Sequence, residues 1–318
     1  MIDIIIPVYN TPSQDLLRCL DSIRNQTYVN YNVIIIDDGS KKETADLLDD
    51  YCNKYSKFNV THILNGGVSN ARNIGLVLAT HEYLTFVDGD DTIEPKFLEE
   101  SLKLLQDNNL DMVVGGYNEV KNNEIKRIRK SEEGLHIFEK EDITKYFDKL
   151  LSGKLCEDNK VIASTPTGRI YTKLYKRSAI RETIFDINIK ISEDTLFEID
   201  LIKNLNRIGV VPNIWYNYYQ NDYSIVHQKI GPKELDNLYN FMYEIYKRML
   251  KESNSRIKNA YKMRIIKTCS DLEDTIINID NKFFERDIFK EVFKNIDISN
   301  YIDMKEREIS FINKYLNQ

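Results

Sequence analysis

Asp88-Gly89-Asp90-Asp91 follows directly on the apolar run Tyr83–Val87. Magnesium and manganese take oxygen ligands and commonly need only one or two carboxylates, with phosphate oxygens and water completing the shell. Two acids one residue apart on a turn give that partial set, and the glycine between them lets the backbone approach a ligand closely. A solvated acidic turn capping the next helix fits the same residues. A second acidic turn, Asp37-Asp38-Gly39-Ser40, ends the run Val33–Ile36. A carboxylate there can accept a hydrogen bond from a uracil ring N–H, or serve only as a helix N-cap. The third segment is Asn65-Gly66-Gly67-Val68-Ser69-Asn70-Ala71-Arg72-Asn73-Ile74-Gly75, a glycine turn running into a helix start. Helix N-termini attract anions. Arg72 adds a planar charge suited to phosphate or a base face, although an ordinary surface arginine reads the same way.

These segments need a scaffold, and the apolar pattern supplies one. Residues 2–8 read as a buried strand, Val33–Ile36 as a second, Phe58–Leu64 as a third, Tyr83–Val87 as a fourth and Asp111–Tyr117 as a fifth. Helices are expected between them: one capped by Ser13, one carrying Ala45, Leu47, Leu48 and Tyr51, one over Ser69–Ala79, and one opened by Pro95. Continuous apolar strands alternating with amphipathic helices predict an α/β fold with a mostly parallel sheet covered on both faces. Ligands bind such sheets outside the carboxyl ends of the strands. Asn10, Asp37-Asp38 and Asp88–Asp91 all fall at those ends. Residues 118–135 are polar and basic and read as a hairpin or loop; 139–151 and 192–205 read as helices, and Trp215–Tyr219 as a strand.

Composition narrows the function classes. The chain has 318 residues, 44 Lys plus Arg against 50 Asp plus Glu, and a net charge of −6. A mildly acidic balance argues against a nucleic-acid coat. Cys19, Cys52, Cys156 and Cys269 are too scattered for a metal knuckle or C-x-x-C pair, and the 4 histidines form no H-E-x-x-H. No apolar run approaches the ~18 residues of a membrane span, and MIDIIIPVYN lacks the basic start of a signal peptide. The expected location is cytoplasmic, with the inner face of the membrane left open.

Taken together and in this order, the motifs resemble those of the family 2 glycosyltransferases. The carried pattern is IIIPVYN at 4–10, NQTY at 25–28, IIIDDGS at 34–40, GGVSNARNIG at 66–75 and FVDGDD at 86–91. The resemblance is strong over roughly residues 1–115 and looser to about 225. It implies a GT-A (Rossmann-like) fold and an inverting, metal-dependent hexosyltransferase using a UDP-sugar donor. Its acceptor would be a glycan or glycosylated protein of a bacterial surface polysaccharide or adhesin. By the same resemblance Asp38 reads the uracil, while Pro7 and Asn10 shape the base and ribose pocket. Arg72 lies near the uracil or diphosphate, Asp88 and Gly89 touch the ribose side, and Asp90 of the D-x-D motif binds Mn2+ or Mg2+. The family's catalytic base is an acid in an E-D pair at a helix start, here Glu193-Asp194, which makes Asp194 the base; a Ser192 capping box is the structural alternative. His227 is a candidate third metal ligand or an exposed loop histidine. Lys173 lies either near the donor sugar or acceptor, or in solvent.

Two other readings compete. A sugar-nucleotide pyrophosphorylase would carry a glycine-rich loop with a basic residue after strand one, and Pro7-Val8-Tyr9-Asn10 has none. A non-catalytic scaffold of the same fold would be expected to have lost acids at 88–91 or 194, and they are present. The organisation expected is a nucleotide-sugar-binding catalytic domain over 1–230 and a helical C-terminal subdomain over 231–318. From Lys233 onward there is no glycine or proline, so uninterrupted helices are predicted. Residues 247–267 hold eight basic residues against the single acid Glu252. This stretch reads as a docked helix with a solvated basic face, as a peripheral membrane contact, or as the lining of an acidic-glycan site. Buried phenylalanines at 283, 284, 289 and 293 imply packing against this chain's core or a second copy, a homo-oligomer.

Overall fold

The first strand shows how one segment feeds two cores. In the computed structural model, which describes residues 1–131, 134–152, 155–157, 160–163, 169–221, 230–294 and 306–316, β1 spans Ile2–Val8. Side chains alternate across a strand, so Ile4, Ile6 and Val8 enter one apolar cluster and Ile5 the other. β2 (Tyr31–Asp37) repeats this, with Val33 and Ile35 on one face and Ile34 and Ile36 on the opposite one. The helices α1 (Ser13–Arg24) and α2 (Lys42–Lys54), then β3 (Phe58–His62), α3 (Val68–Leu78), β4 (Tyr83–Phe86), β5 (Thr92–Ile93), α4 (Phe97–Asp107) and β6 (Met112–Lys121) follow. Strands β3, β2, β1 and β4 lie side by side in parallel register. Their carboxyl ends therefore share one edge, and Asn10, Asp37-Asp38 and the turn 88–91 emerge there.

The other half of the sheet is mixed. After β7 (Glu124–Arg129), β8 (His136–Phe138), α5 (Ile143–Ser152), β9 (Leu155–Glu157) and β10 (Lys160–Ala163) come β11 (Lys173–Lys176), the short α6 (Arg177–Ile180), α7 (Glu193–Ile202) and β12 (Ile208–Tyr219). β11 inserts antiparallel between β4 and β6, and β12 runs parallel to β6. Among the described residues, β9 and β10 pair only with each other. Residues 118–135 contain a true hairpin: Asn122 and Asn123 sit at φ 53° and 60°, the left-handed pair that a two-residue turn needs. The helix expected to open at Pro95 begins at Phe97 instead, where the Gln26 side chain accepts from Leu98 N at 3.1 Å. That contact gives NQTY a packing role.

α7 is buried around most of its circumference. Phe197 stacks on Phe185 at 4.0 Å and meets Phe86 of β4 edge-on at 6.0 Å. On its outer side Arg248 of α8 (Pro232–Lys251) holds Asp200 through two bonds of 3.0 and 2.6 Å. α9 (Ser255–Ile279), α10 (Asp287–Phe293) and α11 (Glu306–Leu316) complete the C-terminal layer. Leu238, Phe241, Met242, Ile245, Phe283, Phe289 and Phe293 belong to the same apolar cluster as Ile5, Leu84 and Met112 of the sheet.

The basic stretch 247–267 is not one helix. It spans the end of α8 and the start of α9, separated at 252–254, where Asn254 caps α9 by accepting from Arg256 N and Ile257 N. A helix can break at a good cap without glycine or proline. Arg248 is paired with Asp200, Lys262 is buried and donates to the Lys294 carbonyl, and Arg264 lies over the Phe241 ring at 5.6 Å. Part of the charge thus faces protein. Among the described residues no helix is long and apolar enough to cross a membrane.

Candidate active site

Each acidic turn is fixed by bonds that reach far along the chain. Asp38 is buried, and its two carboxylate oxygens accept from Gly66 N at 2.7 Å and Gly67 N at 2.8 Å. Gly67 stands at φ +89°, a conformation that a side chain would strain. Each carboxylate oxygen keeps a further lone pair, so Asp38 can pin this turn and still face a ligand N–H. Asn10, at φ 50°, donates its N–H to Ser40 Oγ at 2.9 Å and accepts from Lys41 N at 2.8 Å. Pro7 is half-buried one residue before the end of β1. Gly89 is buried, and a methyl group there would stand 3.2 Å from Val8 Cγ2 and 3.4 Å from the Pro7 carbonyl. The loop therefore lies close against the end of β1.

The three acids of the turn 88–91 do different work. Asp91 is buried; it accepts from the Tyr216 hydroxyl at 2.8 Å and from Tyr219 N at 2.7 Å, both on β12. Burial, reinforced by the charges of Asp90 and Asp88, pushes its carboxyl well above the usual range. Asp90 is half-buried, with its carbonyl held by Arg18 at 2.7 Å and its carboxylate by Asn221 Nδ2 at 3.2 Å. Arg18 in turn stacks on the Tyr219 ring at 3.7 Å. Burial and then the neighbouring Asp88 charge push the Asp90 carboxyl up to about 6. A hard dication fits this crowded oxygen set, because it would relieve the repulsion that raises Asp90. Among the described residues no three His, Cys, Asp or Glu side chains are placed to hold a metal. The protein would thus offer Asp90 with Asp88 beside it, a partial shell. His227 lies outside the described residues.

Arg72 joins this turn to the proposed base. Its guanidinium is buried and donates to Asp88 Oδ1 and to Glu193 Oε1, each at 2.8 Å. Burial opposes its charge, but Asp88 and Glu193 outweigh that and raise its pKa. Its Nε is buried with no hydrogen-bond partner among the described residues. Asp194, next to Glu193, accepts from Thr195 N at 2.7 Å. Burial and the Glu193 charge push its carboxyl up to about 7, against the pull of Arg72 and Arg169. No capping box opens α7: Ser192 sits at φ 58°, and its side chain makes no cap bond.

Two residues depart from the sequence reading. Lys173 is not solvated. It is fully buried, paired with Glu198 of α7 and donating to the Arg169 carbonyl at 2.5 Å. Arg169 is a residue that sequence reasoning missed. Its guanidinium lies 5.5, 5.6 and 5.0 Å from the ring centres of Tyr117, Tyr171 and Tyr218, and it donates to the Tyr171 hydroxyl. Tyr171 stacks on Tyr216 at 4.3 Å, so the ring cluster continues to the tyrosine that holds Asp91. The only available signal was an arginine inside a tyrosine-rich segment, TGRIYTKLY.

A model of the family described as Glycosyl transferase family 2 matches residues 3–179, more than half of the chain. The chain belongs to glycosyl transferase family 2. Among individual relatives, the uncharacterized glycosyltransferase EpsJ of Bacillus subtilis is 25% identical over 234 residues, 73% of this chain and 64% of EpsJ. Glycosyltransferase GlyG of Streptococcus pneumoniae is 34% identical over 118 residues, 37% of this chain and 39% of GlyG. The chain thus spans less than two thirds of either relative's length. In fold it is similar to TarS 1–349 of S. aureus, solved in complex with UDP (TM-score 0.69, 18% identity) and with UDP-GlcNAc (TM-score 0.69, 17% identity). Each covers 99% of this chain and 90% of TarS 1–349. The family 2 assignment and the GT-A fold expected from the motifs agree with the sheet described above.

Proposed function

We propose that this family 2 protein transfers a sugar from a UDP-sugar to a hydroxyl of a glycan or glycosylated protein acceptor, with inversion at the anomeric carbon. The observation that carries this reading is Arg72, which ties Asp88 to Glu193 and so unites the diphosphate-side loop and the Glu193-Asp194 pair in one site. Asp38, Pro7 and Asn10 frame the end of the sheet where a nucleoside would sit, and the Asp38 carboxylate accepts the uracil N3–H. Asp88 and Gly89 lie on the ribose side. Arg72, whose guanidinium holds Asp88, adds positive charge on the diphosphate side. Asp90 would hold Mg2+ or Mn2+, which when bound neutralises charge on the leaving diphosphate. Asp194 takes the proton from the acceptor hydroxyl as that oxygen bonds to C1 and the C1–O bond to UDP breaks. A carboxyl pushed up to about 7 suits a base working near neutrality. The acceptor class we infer is a bacterial surface polysaccharide or adhesin. The UDP and UDP-GlcNAc complexes of TarS support the donor class by similarity of fold.

The test is UDP release from a panel of UDP-sugars, with and without excess EDTA, for the wild type and Asp194→Asn. Turnover of one donor, lost in EDTA and in the variant, is expected. No release from any UDP-sugar, with Mg2+ or Mn2+ present, would contradict the reading.

A further inference from the structure

Lys173 and Glu198 form an ion pair with relative exposures of 0% and 1%. A fully buried pair is seldom there for stability, since apolar side chains of similar volume often do as well or better. What an ammonium provides is direction: three donors that can hold separate elements at fixed spacing. Lys173 Nζ holds Glu198, one helical turn beyond Asp194 on α7, and also the carbonyl of Arg169 at 2.5 Å. Its own carbonyl accepts from the buried Thr85 hydroxyl of β4 at 2.7 Å, three residues before Asp88. Its backbone is paired with Val114 of β6.

One residue thus connects the strand that delivers the turn 88–91, the helix that delivers Asp194, and the segment that delivers Arg169. We propose that Lys173 is a positioning residue for the transfer reaction, a latch that sets the distance between the donor-side acids and Asp194. This rests on the proposed role of Asp194. The latch acts on geometry and not on donor affinity, because the Asp38, Gly66 and Gly67 contacts do not pass through it. A displacement of about 1 Å at the base costs up to roughly 10²-fold in rate.

The double variant Lys173→Met/Glu198→Leu removes both charges and keeps the volume. Thr85→Val, a near-isosteric change, cuts only the tie to β4. Both are made in the full chain. The measurements are melting temperature, UDP binding by calorimetry, kcat and KM for donor hydrolysis, and hydrogen exchange at the Thr195 and Leu196 amides. The double variant is expected to stay folded, with UDP affinity and KM within about threefold, kcat lower by roughly 10–100-fold, and faster exchange at both amides. Thr85→Val should show the same split at roughly 3–10-fold. If the double variant fails to fold, Thr85→Val decides. Folded variants with kcat within about twofold and unchanged exchange would overturn the latch. Exchange needs no substrate, so a wild type that turns over no UDP-sugar would sink the functional reading while the latch is still judged by the amides.

Discussion

Replacing Arg72 by methionine tests the link that unites the site. The guanidinium donates two charge-assisted bonds of 2.8 Å, and the side chains of Arg72, Asp88 and Glu193 are only 6%, 27% and 14% exposed. Breaking a fully buried pair from one side costs about 3–5 kcal/mol, most of it from the carboxylate left behind. Asp88 keeps part of its surface in water and can relax toward it, which discounts that figure. An expected loss of about 2–4 kcal/mol follows, or roughly 3–6 °C in melting temperature for a chain of this size. Arg72→Lys keeps the charge but loses the fork that spans two acids, and should lose about half as much. Thermal unfolding followed by circular dichroism reads both, and the shifts should change little between low and high salt, because the pair is shielded from counterions. A cycle with Glu193→Gln isolates one arm, with a coupling of about 1 kcal/mol or more. A methionine variant melting within about 1 °C of wild type, or an additive cycle, would refute the bridge.

Asp194→Asn should leave UDP affinity nearly intact and lower kcat by ~10²–10⁴. In the wild type, kcat should rise roughly tenfold from pH 6 to pH 8, because the base works only when ionised and its carboxyl is pushed up to about 7; a flat profile would remove the assignment. The same shift means that the group's contribution to stability declines as pH rises from about 4 to 7, where the unfolded chain has already released the proton. Asp90→Ala should abolish metal-stimulated UDP release, as excess EDTA should for the wild type, and a fully active variant would exclude Asp90 as the ligand. UDP should bind more tightly than GDP or ADP, and Asp38→Ala should narrow that preference and lower the melting temperature, since Gly66 N and Gly67 N lose their acceptor; calorimetry with the three nucleotides decides. Gly75→Ala should cost about 1–3 kcal/mol by chemical denaturation, because its methyl group would stand 2.3 Å from Ile5 Cγ2.

The edge of the sheet was legible because the apolar runs ending at Val8, Asp37 and Phe86 are long enough to be strands on their own. The division of labour within 88–91 was not. Asp90 and Asp91 look alike in sequence, and only bonds from Tyr216 and Tyr219, more than a hundred residues away, commit Asp91 to the scaffold. Lys173 read as a sugar-side or solvated lysine because its partner, Glu198, is 25 residues distant and on a different element. Ser192 has the residue type of a helix cap, but its backbone is left-handed and its side chain makes no cap bond, which sequence does not reveal. Over 247–267 the charge count alone reveals neither the cap at Asn254 nor the inward turn of Arg248, so the helix, membrane and glycan readings stay open there.

The contact of Arg248 with Asp200 bears on how such enzymes can be recombined. The family match stops at residue 179, before α7 begins at Glu193. A chimera joined at that limit would take the turns 37–40, 66–75 and 88–91 from one parent and α7, with Asp194, from the other. Joining after β12, near residue 220, keeps α7 with its sheet but still exchanges the helix that grips Asp200 from outside. Graft partners therefore need a matching cation at the position of Arg248. Without one, a swap of the C-terminal helices would also loosen α7, the helix that carries Asp194.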